Sequence, residues 1–204
     1  MGGSDLSPKS RKETSLDDRF GLAEKIRQRD QETIRRVVET YGDQIFRAAR
    51  GAGFDRQEAE EVTQATFLTF VESAPRFEGR AHVRTWLFGI LYRKVAEARR
   101  QLGREREMDD VDDVLESRFD ENGIWIHPPR PADELVFDHE VRDRLAACLE
   151  TTPPRQRMAF VLREVMGLST DEVLEALEVS RTNLGVMLHR VKNRLRDCLV
   201  AKGI

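Results

Sequence analysis

The residues of this chain best placed to do chemistry are arginines interleaved with aromatic rings. The chemistry they suit is non-covalent recognition of a polyanion. Arg80, His82, Arg84, Arg93, Arg99 and Arg100 surround Trp86 and Tyr92 in the first half. Cations that neutralise phosphates, beside rings on which bases stack, are what a single-stranded nucleic acid requires. The plainer alternatives are a core role for Trp86 and a solvated face for the cations. A second group lies near the C-terminus. A helix turns about 100° per residue. With its buried stripe centred on Leu188, residues Thr182, Asn183, Val186, His189, Arg190 and Asn193 point outward. Short polar and cationic side chains on such a face can read duplex DNA in the major groove. Asn183 suits a base edge, and Arg190 a phosphate or a guanine. An ordinary solvated helix is the alternative.

Covalent chemistry has little support. The four histidines, His82, His127, His139 and His189, are scattered, and there is no glycine-rich phosphate loop. Cys148 and Cys198 are too few for a disulfide scaffold or a zinc site of their own, and are expected to pack inside helices. No catalytic residue, metal or cofactor is expected. The formal net charge of −3 argues weakly against a nucleic-acid partner, but the charge is segregated. Nine basic residues face three acidic ones from Arg76 to Arg106, and six face Asp197 alone from Arg181 onward. Between these blocks, Glu105 to Glu121 holds nine acidic residues against Arg106 and Arg118. Two basic surfaces flanking an acidic segment can each hold a polyanion, whatever the total. The N-terminus shows no signal-like apolar stretch and no run is long enough to cross a bilayer, so a soluble cytoplasmic protein is expected.

The elements that must position these residues are helical. Apolar residues from Leu22 to Ala49 step at helical intervals, a run closed by Gly51 and Gly53. Asp55 followed by Glu58 is a capping box that opens a helix to about Ser73, stopped by Pro75. Val83 to Leu102 forms the next helix, with Trp86, Leu87, Ile90, Leu91 and Val95 on one stripe. A second helical region starts near Asp133. Thr152 is expected to cap its next helix, which carries Met158, Phe160, Val161, Leu162 and Val165 inward and ends at Gly167. A capping box at Ser169 and Glu172 opens a short helix, Val179-Ser180 turns the chain, and a long helix follows. That helix buries Leu184, Leu188, Val191, Leu195 and Leu199. No strand pattern competes. The expected fold is all-α: a tail over 1–20, a helical domain over 21–103, an acidic linker over 104–132 and a second helical domain over 133–204. In the linker, the Ile124-Trp125-Ile126 island is expected to dock on the protein's own surface.

These motifs resemble those of a known family. DRQEAEEVTQATFL at 55–68, RFEG at 76–79 and RTWL at 84–87 resemble region 2 of sigma-70-type factors. LREVMGLS at 162–169, VSRTNL at 179–184 and LHRVKNRLR at 188–196 resemble region 4. With only a linker between them, the layout is similar to the extracytoplasmic-function (ECF) group. The resemblance implies an alternative sigma factor, not an enzyme. Such a factor binds core RNA polymerase through the β′ clamp and β subunits and helps open promoter DNA, held both as duplex and as melted single strand. Glu58, Glu60, Glu61 and Gln64 would meet the clamp. Arg76, Arg80, His82, Arg84, Tyr92, Arg93 and Arg100 would hold the −10 element. Arg163, Arg181, Thr182, Asn183, Gly185, Val186, His189 and Arg190 would meet the −35 element. Family members commonly have an anti-sigma partner, so one is expected here. The chain departs from the family at Ala81, Arg93, Glu97 and Gly185-Val186-Met187, so no promoter sequence follows. The alternative is a helix-turn-helix regulator that acts without being a polymerase subunit.

Overall fold

The computed structural model describes residues 19–103 and 139–203. The expected tail up to residue 18, the acidic linker with its Trp125 island, and the chain from Asp133 to Asp138 lie outside the described residues. No strand occurs among the described residues. The first half holds α1 (Arg19–Arg27), α2 (Gln31–Gly51), α3 (Arg56–Ser73), a short 3-10 turn (Ala74–Arg76) and α4 (Val83–Gln101). The second holds α5 (His139–Glu150), α6 (Pro154–Phe160), a π turn (Val161–Val165), α7 (Thr170–Leu177) and α8 (Arg181–Ala201).

The apolar run from Leu22 to Ala49 is divided between α1 and α2. Asp30 caps α2 by accepting from the Thr33 N–H at 2.9 Å. Arg29 just before it takes a left-handed backbone with φ of 54°. Its side chain donates to the carbonyls of Val71 and Glu72, which ties the break to the end of α3. The capping box of α3 forms as its sequence predicts. Asp55 Oδ1 accepts from the Glu58 N–H at 2.8 Å, and Glu58 Oε2 accepts from the Asp55 N–H at 2.9 Å. Asp55→Ala removes the cap and is expected to cost about 1 kcal/mol, lowering the melting temperature by roughly 4–8 °C in a helical unit of this size. Thermal melting followed by circular dichroism checks this; an unchanged midpoint would rule out a contribution from the cap.

Three details of the second half differ from expectation. Thr152 does not cap α6. Pro153 takes the N-cap position and Pro154 the first turn, and a proline offers no side-chain acceptor. The Thr152 hydroxyl is instead buried without a hydrogen-bond partner. Val165 is 58% exposed, not inward. The π turn carries one extra residue, marked by the Met166 N–H reaching the Val161 carbonyl, and rotates Val165 off the core face. On α8 the buried stripe is Leu184, Met187, Val191 and Leu195, with Leu188 only half-buried. The rotation also brings Asn193 inward, where its amide nitrogen lies 3.0 Å from His189 Nε2, although the sequence placed Asn193 on the outer face.

Cys148 and Cys198 do pack within helices, and they are bonded to each other, joining α5 to α8 across a separation of 50 residues. They sit in a small apolar cluster with Leu149, Val191 and Leu195. The larger cluster is continuous across both halves of the chain. It runs from Ala23 and Ile26 through Phe70, Leu87 and Phe88 to Met158, Leu162, Val173, Leu177 and Met187.

Candidate nucleic-acid interface

Three surfaces carry the residues singled out by sequence, and the fold treats them differently. The first is the outer face of α3. Its inner face buries Ala59, Val62, Thr66 and Phe70. That leaves Glu60, Glu61 and Gln64 exposed, with Glu58 half-buried at the first turn. Glu60 pairs with Arg56 at 3.1 Å, and Glu61 accepts from Gln57 at 3.1 Å. Leu68 continues the stripe one turn on and is 64% exposed. Sequence reasoning did not single it out, although its four-residue spacing from Gln64 was the available signal. Beside this face, Glu58, Glu61, Val62 and Ala65 of α3 and Lys94 and Ala98 of α4 line a groove.

The second surface is the loop from Arg76 to His82 together with α4. Trp86 is a packing residue. It stacks on Phe77 with ring centroids 4.5 Å apart and meets Phe70 edge-on at 5.3 Å. These ring contacts anchor the loop to α3 and α4, and the stacked Phe77 occupies one face of Trp86. His82 caps α4, its Nδ1 accepting from the Arg84 N–H at 3.1 Å. Arg76, Arg80 and Arg100 are exposed, and Arg80 pairs with Glu78. Tyr92 is half-buried against the core. Arg99 is a brace: it donates to the Ala52 carbonyl and lies over the Phe54 ring.

Arg84 and Arg93 reach the other half of the chain. Arg84 donates to the Met166 carbonyl at 2.6 Å and to Gln44 at 3.3 Å, and lies 3.9 Å from a Glu172 carboxylate oxygen. Thr85 also donates to Glu172, and Arg93 pairs with Glu178 at 2.9 Å. Helix α7 therefore lies along α4, with its carboxylates on cations that the sequence assigns to nucleic acid. Gly89 faces this contact: a Cβ there would stand 3.6 Å from the Ala176 carbonyl oxygen, so only a small side chain fits. A second docking point is Arg157 of α6, which donates to the Gly51 carbonyl at 2.6 Å at the end of α2. Gly53 makes room for it, since a Cβ there would lie 2.6 Å from the guanidinium. Burial first, and then the neighbouring Arg99, pull the Arg157 pKa down to about 10, with Glu150 opposing. Arg157 therefore stays charged at neutral pH, and burying it works against the closed arrangement.

Glu172 titrates below its ordinary value. Burial opposes its ionisation, but the backbone and side chain of Ser169, then Arg84 and Thr85, outweigh burial. A carboxylate depressed in the folded state stabilises that state fully above its unfolded pKa of about 4.3, and less as the pH falls through the depressed value. The melting-temperature gap between the native chain and Glu172→Gln is expected to be constant above about pH 5 and to close on acidification. A gap independent of pH between 3 and 7 would refute the linkage.

The third surface is the start of α8. Ser180 caps it, accepting from the Asn183 N–H at 3.2 Å. Thr182, Asn183, Gly185 and Val186 are exposed on its first turns, and nothing lies within 4 Å of a Cβ built at Gly185. His189 and Arg190 are half-buried along the same helix. Arg181 pairs with Asp171 at 2.6 Å, and Arg163 donates to the Leu168 carbonyl, bracing the turn before α7. The third surface is thus largely open, whereas α4 is partly covered.

Comparison with known proteins gives a consistent picture. Residues 37–105 match the Sigma-70 region 2 family, and residues 142–195 match the Sigma-70, region 4 family. The chain is 32% identical to a probable RNA polymerase sigma factor of Haemophilus influenzae, over 71% of this chain and 78% of that one. It is 30% identical to the ECF RNA polymerase sigma factor SigD of Mycobacterium tuberculosis, over 85% of this chain and 80% of that one. Among solved structures, CnrH in complex with the cytosolic domain of CnrY has a similar fold. The TM-score is 0.64 at 21% identity, covering 90% of this chain and 97% of that one. The sigma factor RpoE in complex with the anti-sigma factor NepR, from Bartonella quintana, gives 0.59 at 20% identity, covering 81% and 95%.

Proposed function

Because the chain belongs to the sigma-70 family, as an ECF sigma factor that acts with RNA polymerase, we propose a division of labour among its three surfaces. The helices over 21–103 form the polymerase- and −10-binding domain, and those over 133–204 the −35-binding domain. The outer face of α3, with Glu58, Glu60, Glu61 and Gln64, docks on the β′ clamp. An acidic face with an amide suits a basic partner helix, and exposed Leu68 adds an apolar contact. Arg76, Arg80, His82, Arg84, Tyr92, Arg93 and Arg100 hold the melted −10 strand. Arg163, Arg181, Thr182, Asn183, Gly185, Val186, His189 and Arg190 meet the −35 duplex, with Asn183 and Val186 at its base edges. The factor works in the cytoplasm beside the polymerase. Among the described residues, no helix is long and apolar enough to cross a membrane. Sigma factors are not enzymes, and no covalent step is assigned to this one.

The observation that carries this reading is the order of the two family matches on one chain, each falling on a helical unit with an exposed recognition surface. The packing of α7 on α4 adds a resting state to it. Carboxylates of Glu172 and Glu178 sit where strand phosphates would sit, so the two halves must part before Arg84 and Arg93 can take DNA. An anti-sigma protein that favours this closed arrangement is the expected negative regulator, in keeping with the complex of the similar Bartonella factor with an anti-sigma factor. Run-off transcription with bacterial core polymerase on a pool of genomic promoter fragments tests the assignment. New discrete start sites that depend on this protein are expected. Duplex binding without transcripts would instead support a helix-turn-helix regulator that works apart from polymerase.

A further inference from the structure

We propose that Cys148 and Cys198 form a thiol–disulfide regulatory site that sets the activity of the −35-binding helices according to the surrounding redox poise. The two sulfurs are bonded and no described cysteine is free. Their exposure is unequal. Cys148 is 1% exposed, whereas Cys198, near the end of α8, is half-buried and reachable from solvent.

The bond joins α5 directly to α8. Among the described residues of α5, the only buried apolar side chains are Cys148 and Leu149, and both pack in the cluster completed by Val191 and Leu195 of α8. Arg144 also donates to the Lys202 carbonyl at 2.9 Å. The same α8 presents Asn183, Val186 and Arg190 two to four turns upstream. Breaking the sulfur bond therefore loosens α5 from the recognition helix and leaves Val191 and Leu195 half-covered.

The exchange balances with a small-molecule disulfide such as oxidised glutathione. The Cys198 thiolate attacks one glutathione sulfur, forming a mixed disulfide and releasing one glutathione thiolate. The Cys148 thiolate then attacks the Cys198 sulfur and releases the second. The two thiol protons pass to the departing glutathiones, so the protein loses two electrons and two protons and the disulfide gains them. Reduction runs the same steps backwards, starting at the sulfur of half-buried Cys198.

The inference rests on the sigma-factor reading, and one experiment keeps the two apart. The full chain is equilibrated in glutathione buffers from fully reduced to fully oxidised. Its thiols are then trapped by alkylation and counted by mass. Each sample is assayed for core polymerase binding and for run-off transcription from a promoter that the factor uses. Expected is a reversible conversion within the buffer range, with transcription falling about 10-fold in the reduced chain, within the usual range of conformational coupling between two sites. Core binding through α3 should not change. C148S/C198S should show the reduced level at every ratio. Reducing and reoxidising the native chain gives the same reading without relying on that variant. A pair that stays bonded throughout, thiols that never pair, or equal transcription in both states would overturn the switch. Loss of core binding in every sample would overturn the sigma-factor assignment instead.

Discussion

Gly89→Leu is expected to prise the two halves apart and to raise affinity for single-stranded promoter DNA. The site faces the α7 backbone, with the Ala176 carbonyl oxygen 3.6 Å and its Cα 3.8 Å from the position of a Cβ. A methyl fits there in ordinary contact, so Gly89→Ala should leave docking intact. The three further carbons of leucine would be driven against the α7 backbone and the Arg93 guanidinium, which stands 3.9 Å from the Cβ position. Overpacking of this kind costs about 1–3 kcal/mol, a shift of roughly 5- to 150-fold toward the open form. Helix α4 itself should not suffer, because replacing an internal glycine by leucine favours the helix by about 1 kcal/mol. The wedge therefore acts on docking while sparing the fold of the first half. Opening would free Arg84 and Arg93 from Glu172 and Glu178. Small-angle scattering should show a larger radius of gyration. Binding of a labelled single strand should tighten and become more dependent on salt as phosphate contacts are gained. An unchanged radius together with unchanged strand binding would refute the closed resting state.

Glu61→Lys combined with Gln64→Ala is expected to abolish association with core polymerase. Both residues lie on the exposed face of α3, opposite buried Ala59, Val62, Thr66 and Phe70. Within the chain Glu61 accepts from its exposed neighbour Gln57 on the same helix, so the folded state loses little. Against a basic partner helix, reversing the charge replaces an attraction with a repulsion. Disrupting a buried interfacial charge pair costs about 2–5 kcal/mol, on the order of 100-fold in affinity or more. Co-purification with core polymerase measures the loss, and an unchanged melting curve establishes that α3 still folds. Full retention of polymerase binding would move the contact to another surface.

Much of this molecule was legible before any coordinates. The boxes at Asp55 with Glu58 and at Ser169 with Glu172 form as read, because a cap involves residues three positions apart. The apolar faces of α3 and α4 follow from a 3.6-residue period for the same local reason. The period blurred where backbone geometry departs from a regular helix. The left-handed Arg29 divided one apolar run into two helices, and the π turn carried Val165 out to solvent. On α8, Leu188 and Met187 are adjacent and both apolar, so periodicity alone could not say which led the stripe. Packing against the large core cluster chose Met187, and Asn193 is buried on the same helix.

By itself, the sequence determined an all-α chain with two helical units, an acidic face on α3, a basic set around α4 and an exposed polar start to α8. Its motifs also identified the family. These properties are local, since each depends on side chains within a few turns of one another. Only the tertiary structure decided how those surfaces are used at rest. Arg84 meets the Met166 carbonyl and Arg93 meets Glu178 across 82 and 85 residues, and Cys148 finds Cys198 across 50. No periodicity or spacing encodes such meetings. They depend on which faces remain unburied after each half has formed and on whether a small residue such as Gly89 lets two backbones approach. The sequence could therefore name the cations, whereas only the docked helices show that two of them are already occupied by the protein's own carboxylates and carbonyls.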